Sequence, residues 1–214
     1  MMKQVVIVFA LIGVFGSAAV FTADQQTLNE LQPPNEVIEY ASAEITDRLE
    51  GRRAYFATQP VELYEVVNEI MAPYFDVRYA GRLVLGNHWK TSTAEQRDRF
   101  IDAFYDFLLQ SYADAVLKFK QDAVTIYAQE GDLPEKRAVV KTSMRMDDGS
   151  MVPVNYSLRK SKVGWRVYDV RIEGVSYIQN YRNQFNAEIA ALGIDAVTER
   201  LLLEASQARG LIES

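Results

Sequence analysis

The sequence predicts an α+β fold: a curved four-stranded antiparallel sheet with helices laid over one face. Three observations carry that reading. Apolar residues recur at helical spacing from Val37 to Phe119, at period two from Val124 to Ile172, and at helical spacing again from Tyr177 onward. The period-two segments are separated by short turns and not by helices, which makes neighbouring strands antiparallel. With 214 residues, 49% of them hydrophobic, the chain has the material for one domain with a sizeable core.

Taken in order, the "PPN" at 33–35 starts a helix that Asn35 is expected to cap, with Val37/Ile38, Ala41, Ile45 and Leu49 on its inner face. "TQP" at 58–60 stops it and starts a second, striped by Leu63, Val66/Val67 and Ile70 and ended near Pro73. A short helix is expected over Val77–Leu85. The longest runs over 93–119, where Thr93 and Gln96 have capping-box spacing. Its large apolar residues, Phe100, Phe104, Phe107, Leu108, Tyr112 and Phe119 among them, form two adjoining stripes. Strands are expected at 123–129, 138–146, 152–158 and 165–172, with a hairpin turn at "DDGS". Pro153 points to an edge position or a bulge. Two helices close the chain, the first ended by Gly193.

Charge and composition remove several function classes. The formal charge is −6 without a basic block, which argues against nucleic acid as a partner. Cysteine is absent, so thiol nucleophiles, cysteine-based zinc sites and disulfides are out. Lys3 precedes an apolar run from Val5 to Phe21 that contains Ser17-Ala18-Ala19, the pattern of a cleaved secretory signal. The expected leader is 1–19, or 1–23 with later cleavage, followed by one domain over 24–214. Cleavage after Ala19 removes Lys3 and leaves 22 basic against 29 acidic residues, a net −7.

Catalytic signatures are sparse. His88, the single histidine, has no second histidine and no spaced carboxylate with which to build a catalytic or metal site. Asp169 lies on a strand with apolar residues on both sides, either as a buried acid or as a structural partner of Arg171 or Arg182. "GVS" at 174–176 is not a nucleophile elbow. "GRLVLG" at 81–86 is neither a phosphate loop nor a dinucleotide fingerprint. No metal or cofactor is expected.

Four blocks, "FDVRYAGRLVLGNHW", "TAEQRDRFIDAFYDFLLQSYADAVLKF", "GWRVYDVRIEGVSYIQNYRNQF" and "LGIDAVTERL", resemble in matching order the toluene-tolerance (MlaC) family. The resemblance spans about Pro33 to Ala208. It implies a nuclear-transport-factor-2-like (NTF2-like) sheet wrapped by helices, with an apolar cavity for phospholipid acyl chains. It also implies a monomeric, non-enzymatic periplasmic carrier. Such a carrier moves phospholipid between an outer-membrane lipoprotein–porin complex and an inner-membrane ABC transporter with an MCE-domain ring, maintaining outer-membrane lipid asymmetry. A two-tailed lipid has roughly 30 methylenes at about 0.8 kcal/mol each, so entering water costs on the order of 20 kcal/mol. An apolar pocket removes most of that cost.

From periodicity together with the family architecture, the expected lipid-binding residues are Leu83, Val84 and Trp89; Phe104, Leu108 and Tyr112; Val152, Val154, Tyr156 and Val170; and Val175, Tyr181 and Phe185. Gly81 and Gly86 are expected to let the short helix pack closely or end. Arg82 and Arg182 are expected in structural ion pairs, with a phosphate contact at the cavity mouth as the alternative. Two other functions stay open at this point. One is an NTF2-like-fold enzyme using Asp169 or His88 on a small apolar substrate, and the other is a periplasmic adaptor that binds no lipid.

Overall fold

A computed structural model describes residues 32–117, 123–128, 135–146 and 148–208. The expected leader, Phe119, Asp122, Gln129 and Asp147 lie outside the described residues. Among the described residues six helices come first: α1 (Pro34–Leu49), α2 (Arg53–Phe56), α3 (Pro60–Met71), α4 (Val77–Leu85), α5 (His88–Thr91) and α6 (Ala94–Leu117). Five strands follow, β1 (Val124–Ile126), β2 (Arg137–Arg145), β3 (Met151–Ser161), β4 (Gly164–Ile172) and β5 (Val175–Ser176), then α7 (Tyr177–Leu192) and α8 (Ile194–Ala208). The sheet runs β1-β2-β3-β4-β5 with every neighbouring pair antiparallel. The α+β class is therefore as expected, with five strands in place of four. The extra strand is two residues long, too short to show a period.

The apolar stripe of α1 is its buried face: Val37, Ile38, Ala41, Ile45 and Leu49 are all within 5% of full burial. Its start differs from expectation. Pro33 occupies the cap position and Pro34 the first turn, with no side-chain cap from Asn35. Proline lacks the N–H that a cap would satisfy and its fixed φ already suits the helix. The expected capping box of α6 is present in both directions: Gln96 N donates to Thr93 Oγ1 at 3.1 Å and Thr93 N to Gln96 Oε1 at 3.0 Å.

The sheet buries one face. Val140, Tyr156 and Val170 align across β2, β3 and β4, as do Thr142, Val154 and Ile172. A bulge at Ser157/Leu158 moves the register, so that Ser157 faces Asp169 while Leu158 faces Val167. The inward phase of β4 then switches from Trp165 and Val167 to Val170 and Ile172. This is why β4 reads as apolar on both faces. Pro153 is a correction, because β3 is an interior strand. Its carbonyl accepts from Glu173 N just past the last β3–β4 pair, Val154↔Ile172. Its missing N–H therefore faces the end of a ladder and costs no sheet bond.

Two apolar clusters fill the molecule. One joins α1, α3 and the C-terminal half of α6 to the sheet. The other joins α4, α7 and α8 to the N-terminal half of α6 around Phe100, Phe104 and Phe185. A Cβ on Gly81 would meet Ile101 Cγ1 at 2.7 Å, so α4 approaches α6 through that glycine. Among the described residues no helix is long and apolar enough to cross a membrane.

Candidate functional site

Where the two clusters meet, α6 leaves the sheet and a cavity of about 120 Å³ remains. Val67 and Met71 of α3, Val77 and Ala80 of α4, a long stripe of α6, Tyr168 to Val170 of β4, and Tyr177, Ile178 and Tyr181 of α7 surround it. The α6 stripe is Phe104, Tyr105, Leu108, Leu109, Tyr112, Ala113 and Val116, the i, i+3, i+4, i+7 spacing of one helix face. The exposed lining is wholly apolar.

That lining includes polar residues, and the polar atoms of four of them, Tyr105, Tyr112, Tyr181 and Asp169, are bonded to one another or to neighbours. Tyr105 donates its hydroxyl to Asn68 Oδ1 at 3.0 Å. The Tyr112 and Tyr181 hydroxyls pair at 2.8 Å. Burial raises the Tyr181 phenol well above its ordinary pKa, with Tyr112 adding to the effect. Burial, with the Asp106 carboxylate, pushes Tyr105 up to about 12. Asp169 accepts from Ser176 Oγ at 2.8 Å and from Ile178 N at 3.1 Å, and Arg171 lies 3.7 Å away. Ser176 in turn caps α7 by accepting from Gln179 N. Asp169 thus ties β4 to the first turn of α7, with both its oxygens committed.

Five of the expected residues stand on the cavity wall together: Phe104, Leu108, Tyr112, Val170 and Tyr181. Val84 and Phe185 are fully buried in the helical cluster behind it. Trp89 packs on the same cluster, its ring covered by the Arg82 and Arg97 guanidiniums at 5.6 and 4.9 Å. Val154 and Tyr156 lie in the sheet-side core, and Val152 packs against it. Leu83 and Val175 line an outer groove, where Val175 is 58% exposed. Val67, Met71, Ala80, Leu109 and Ala113 are wall residues outside the expected lipid-binding set. For Leu109 and Ala113 the signal was there, since on the α6 stripe Leu109 sits one turn after Tyr105 and Ala113 one turn after Leu109.

His88 reaches the Asn186 carbonyl at 3.3 Å through Nε2, joining α5 to α7. Among the described residues no group of three or more His, Asp or Glu side chains could hold a metal ion. Arg82 and Arg182, expected in ion pairs, make none among the described residues; Arg82 lies over Trp89, and Arg182 crosses Gly86, where a Cβ would stand 2.9 Å from its Nε.

Comparison with known proteins places this geometry in context. Residues 39–202 match the family model described as "MlaC protein". The toluene tolerance protein ttg2D of Pseudomonas putida is 26% identical over 72% of each chain. The intermembrane phospholipid transport system binding protein MlaC of Haemophilus influenzae is 25% identical over 81% of this chain and 83% of that one. A solved structure of a phospholipid-binding protein from Ralstonia solanacearum, in complex with a phospholipid, superposes with a TM-score of 0.74. It is 22% identical and covers 83% of this chain and 99% of its own.

Proposed function

The chain belongs to the MlaC protein family, and from that membership and its apolar cavity we propose that it is a non-enzymatic periplasmic phospholipid carrier. It holds acyl chains between sheet and helices and needs no cofactor. It exchanges its cargo with an outer-membrane lipoprotein–porin complex and an inner-membrane ABC transporter carrying an MCE-domain ring. The observation that carries the reading is the cavity wall, in which the polar atoms of Tyr105, Tyr112, Tyr181 and Asp169 are bonded to one another or to neighbours. A reaction site would keep a donor, acceptor or nucleophile free toward its substrate. A carrier of hydrocarbon needs the reverse, because a polar atom facing an acyl chain loses its hydration without compensation.

A 120 Å³ space is close in size to an apolar cavity that holds a benzene ring, about 150 Å³. Uptake of acyl chains therefore requires α7 and α4 to move outward from α6. The Tyr112–Tyr181 hydroxyl pair, which bridges α6 to α7, opens in that movement. Leu108→Trp tests the reading directly by filling the cavity from the middle of α6. The variant is expected to fold with thermal stability at or above that of the parent and to take up no phospholipid from vesicles. Uptake equal to the parent's would place the lipid elsewhere.

A further inference from the structure

Beside the cavity, and sharing Tyr168, Asp169 and Ile178 with it, lies an outer groove of about 450 Å³. We propose that this groove is a phosphate site for the lipid head group, with the Arg182 guanidinium as its principal cation and Arg171 as its second. The proposal rests on the carrier reading and specifies what the groove recognises.

Charge accounting in the groove favours an anion. Its lining holds Arg171, Arg182 and a single carboxylate, Asp169. Asp169 is 6% exposed and already receives hydrogen bonds from Ser176 and the Ile178 backbone. Arg171 is half-exposed and only 3.7 Å from that carboxylate, so most of its donors remain for another acceptor. Arg182 has no ion pair and no side-chain hydrogen bond among the described residues. Its guanidinium passes over Gly86, whose φ of +53 and missing Cβ clear the space. The backbone of α7 at its base is tied to α4 by Asn186 Nδ2, which donates to both the Arg182 and Val84 carbonyls. An unpaired guanidinium is a ready bidentate donor for phosphate oxygens. In a chain of net charge −6, such a spot stands apart from its surroundings. Gln179 Nε2 donates to Asn183 Oδ1 at 2.9 Å, which leaves the Asn183 amide hydrogens as further donors on the same rim.

The order of the two spaces suits an amphiphile. Tyr168 and Ile178 form the shared wall, so tails on the apolar side place a glycerol backbone at the boundary and a phosphate in the groove. Burial of a charged phosphate in the cavity itself would be opposed by desolvation; the groove is open to water.

The test is equilibrium binding to the delipidated mature chain of dioctanoyl phosphatidylglycerol, of dioctanoylglycerol with the same tails, and of inorganic phosphate. The parent is expected to bind the phospholipid at least about tenfold tighter than the diacylglycerol. Arg182→Gln should erase that preference while leaving diacylglycerol affinity unchanged, and Arg182→Lys should retain part of it. Arg171→Gln, at a half-exposed side chain, is expected to lose a smaller part and serves if Arg182→Gln does not fold. Equal binding of the two lipids by the parent, or a preference untouched by Arg182→Gln and Arg171→Gln, overturns the site while the carrier reading stands. Inorganic phosphate binding as tightly as the phospholipid overturns the lipid assignment in favour of a free anion. Binding of neither lipid overturns the carrier reading, and the site with it.

Discussion

Asp76 joins a helix to the sheet at a single residue. Its carboxylate caps α4 by accepting from Tyr79 N at 3.0 Å and receives Arg159 Nε at 2.5 Å. Arg159 also lies over the Tyr79 ring at 4.4 Å. The Asp76 backbone N–H donates to Val167 O. The short helix that walls one side of the cavity hangs from this point. Asp76→Ala removes both the cap and the charge-assisted bond, so a loss of about 2–3 kcal/mol is expected in urea unfolding; a loss under half a kcal/mol would remove Asp76 from this role. Tyr105 gives a pH dependence whose sign follows from burial. Its folded pKa, about 12, stands above the ordinary 10.0, so the neutral phenol is favoured by folding. Its contribution is complete below pH 10 and is lost as the pH rises toward about 12. Stability measured across that window should fall less steeply in Tyr105→Phe. Parallel curves would contradict the assignment.

At the scale of elements, α6 organises the molecule, with its N-terminal half in the helical cluster and its C-terminal half against the sheet. The stripes at Phe100, Phe104 and Leu108 were legible because large apolar residues at 3.6 spacing admit few other readings. So were the capping box at Thr93 and the end of α7 at Gly193. The two-residue β5 and the single turn of α2 were not legible, since neither is long enough to complete a period. Pro153 misled because its effect depends on where the neighbouring strand stops, a property of β4 and not of β3. The site was half legible for the same reason: periodicity identifies an inward face, but only tertiary placement separates Tyr112, on the cavity, from Phe185, one layer behind it. The bridge between α6 and α7 carries its own prediction. Replacing both Tyr112 and Tyr181 by Phe removes a paired donor and acceptor together, which costs little stability. The double variant is expected to take up lipid from vesicles faster than the parent, followed by fluorescence of a labelled lipid. An unchanged rate would mean that parting of α6 and α7 is not the limiting movement.

At the scale of the whole molecule, the fold sets an apolar space between two packed clusters and a cationic groove at its rim. Asp169, on the cavity wall, holds the start of α7, and His88 holds the junction of α5 with α7. On the carrier reading proposed above, the apolar wall takes up acyl chains that would otherwise cost on the order of 20 kcal/mol to expose to water. The central claim is therefore about occupancy. Native mass spectrometry of the chain, purified without detergent and again after delipidation and incubation with phospholipid vesicles, measures it most directly. The account predicts one phospholipid per chain as purified, loss of that mass on delipidation, and its return from vesicles. A chain that carries no phospholipid in the first state and acquires none in the last would contradict it.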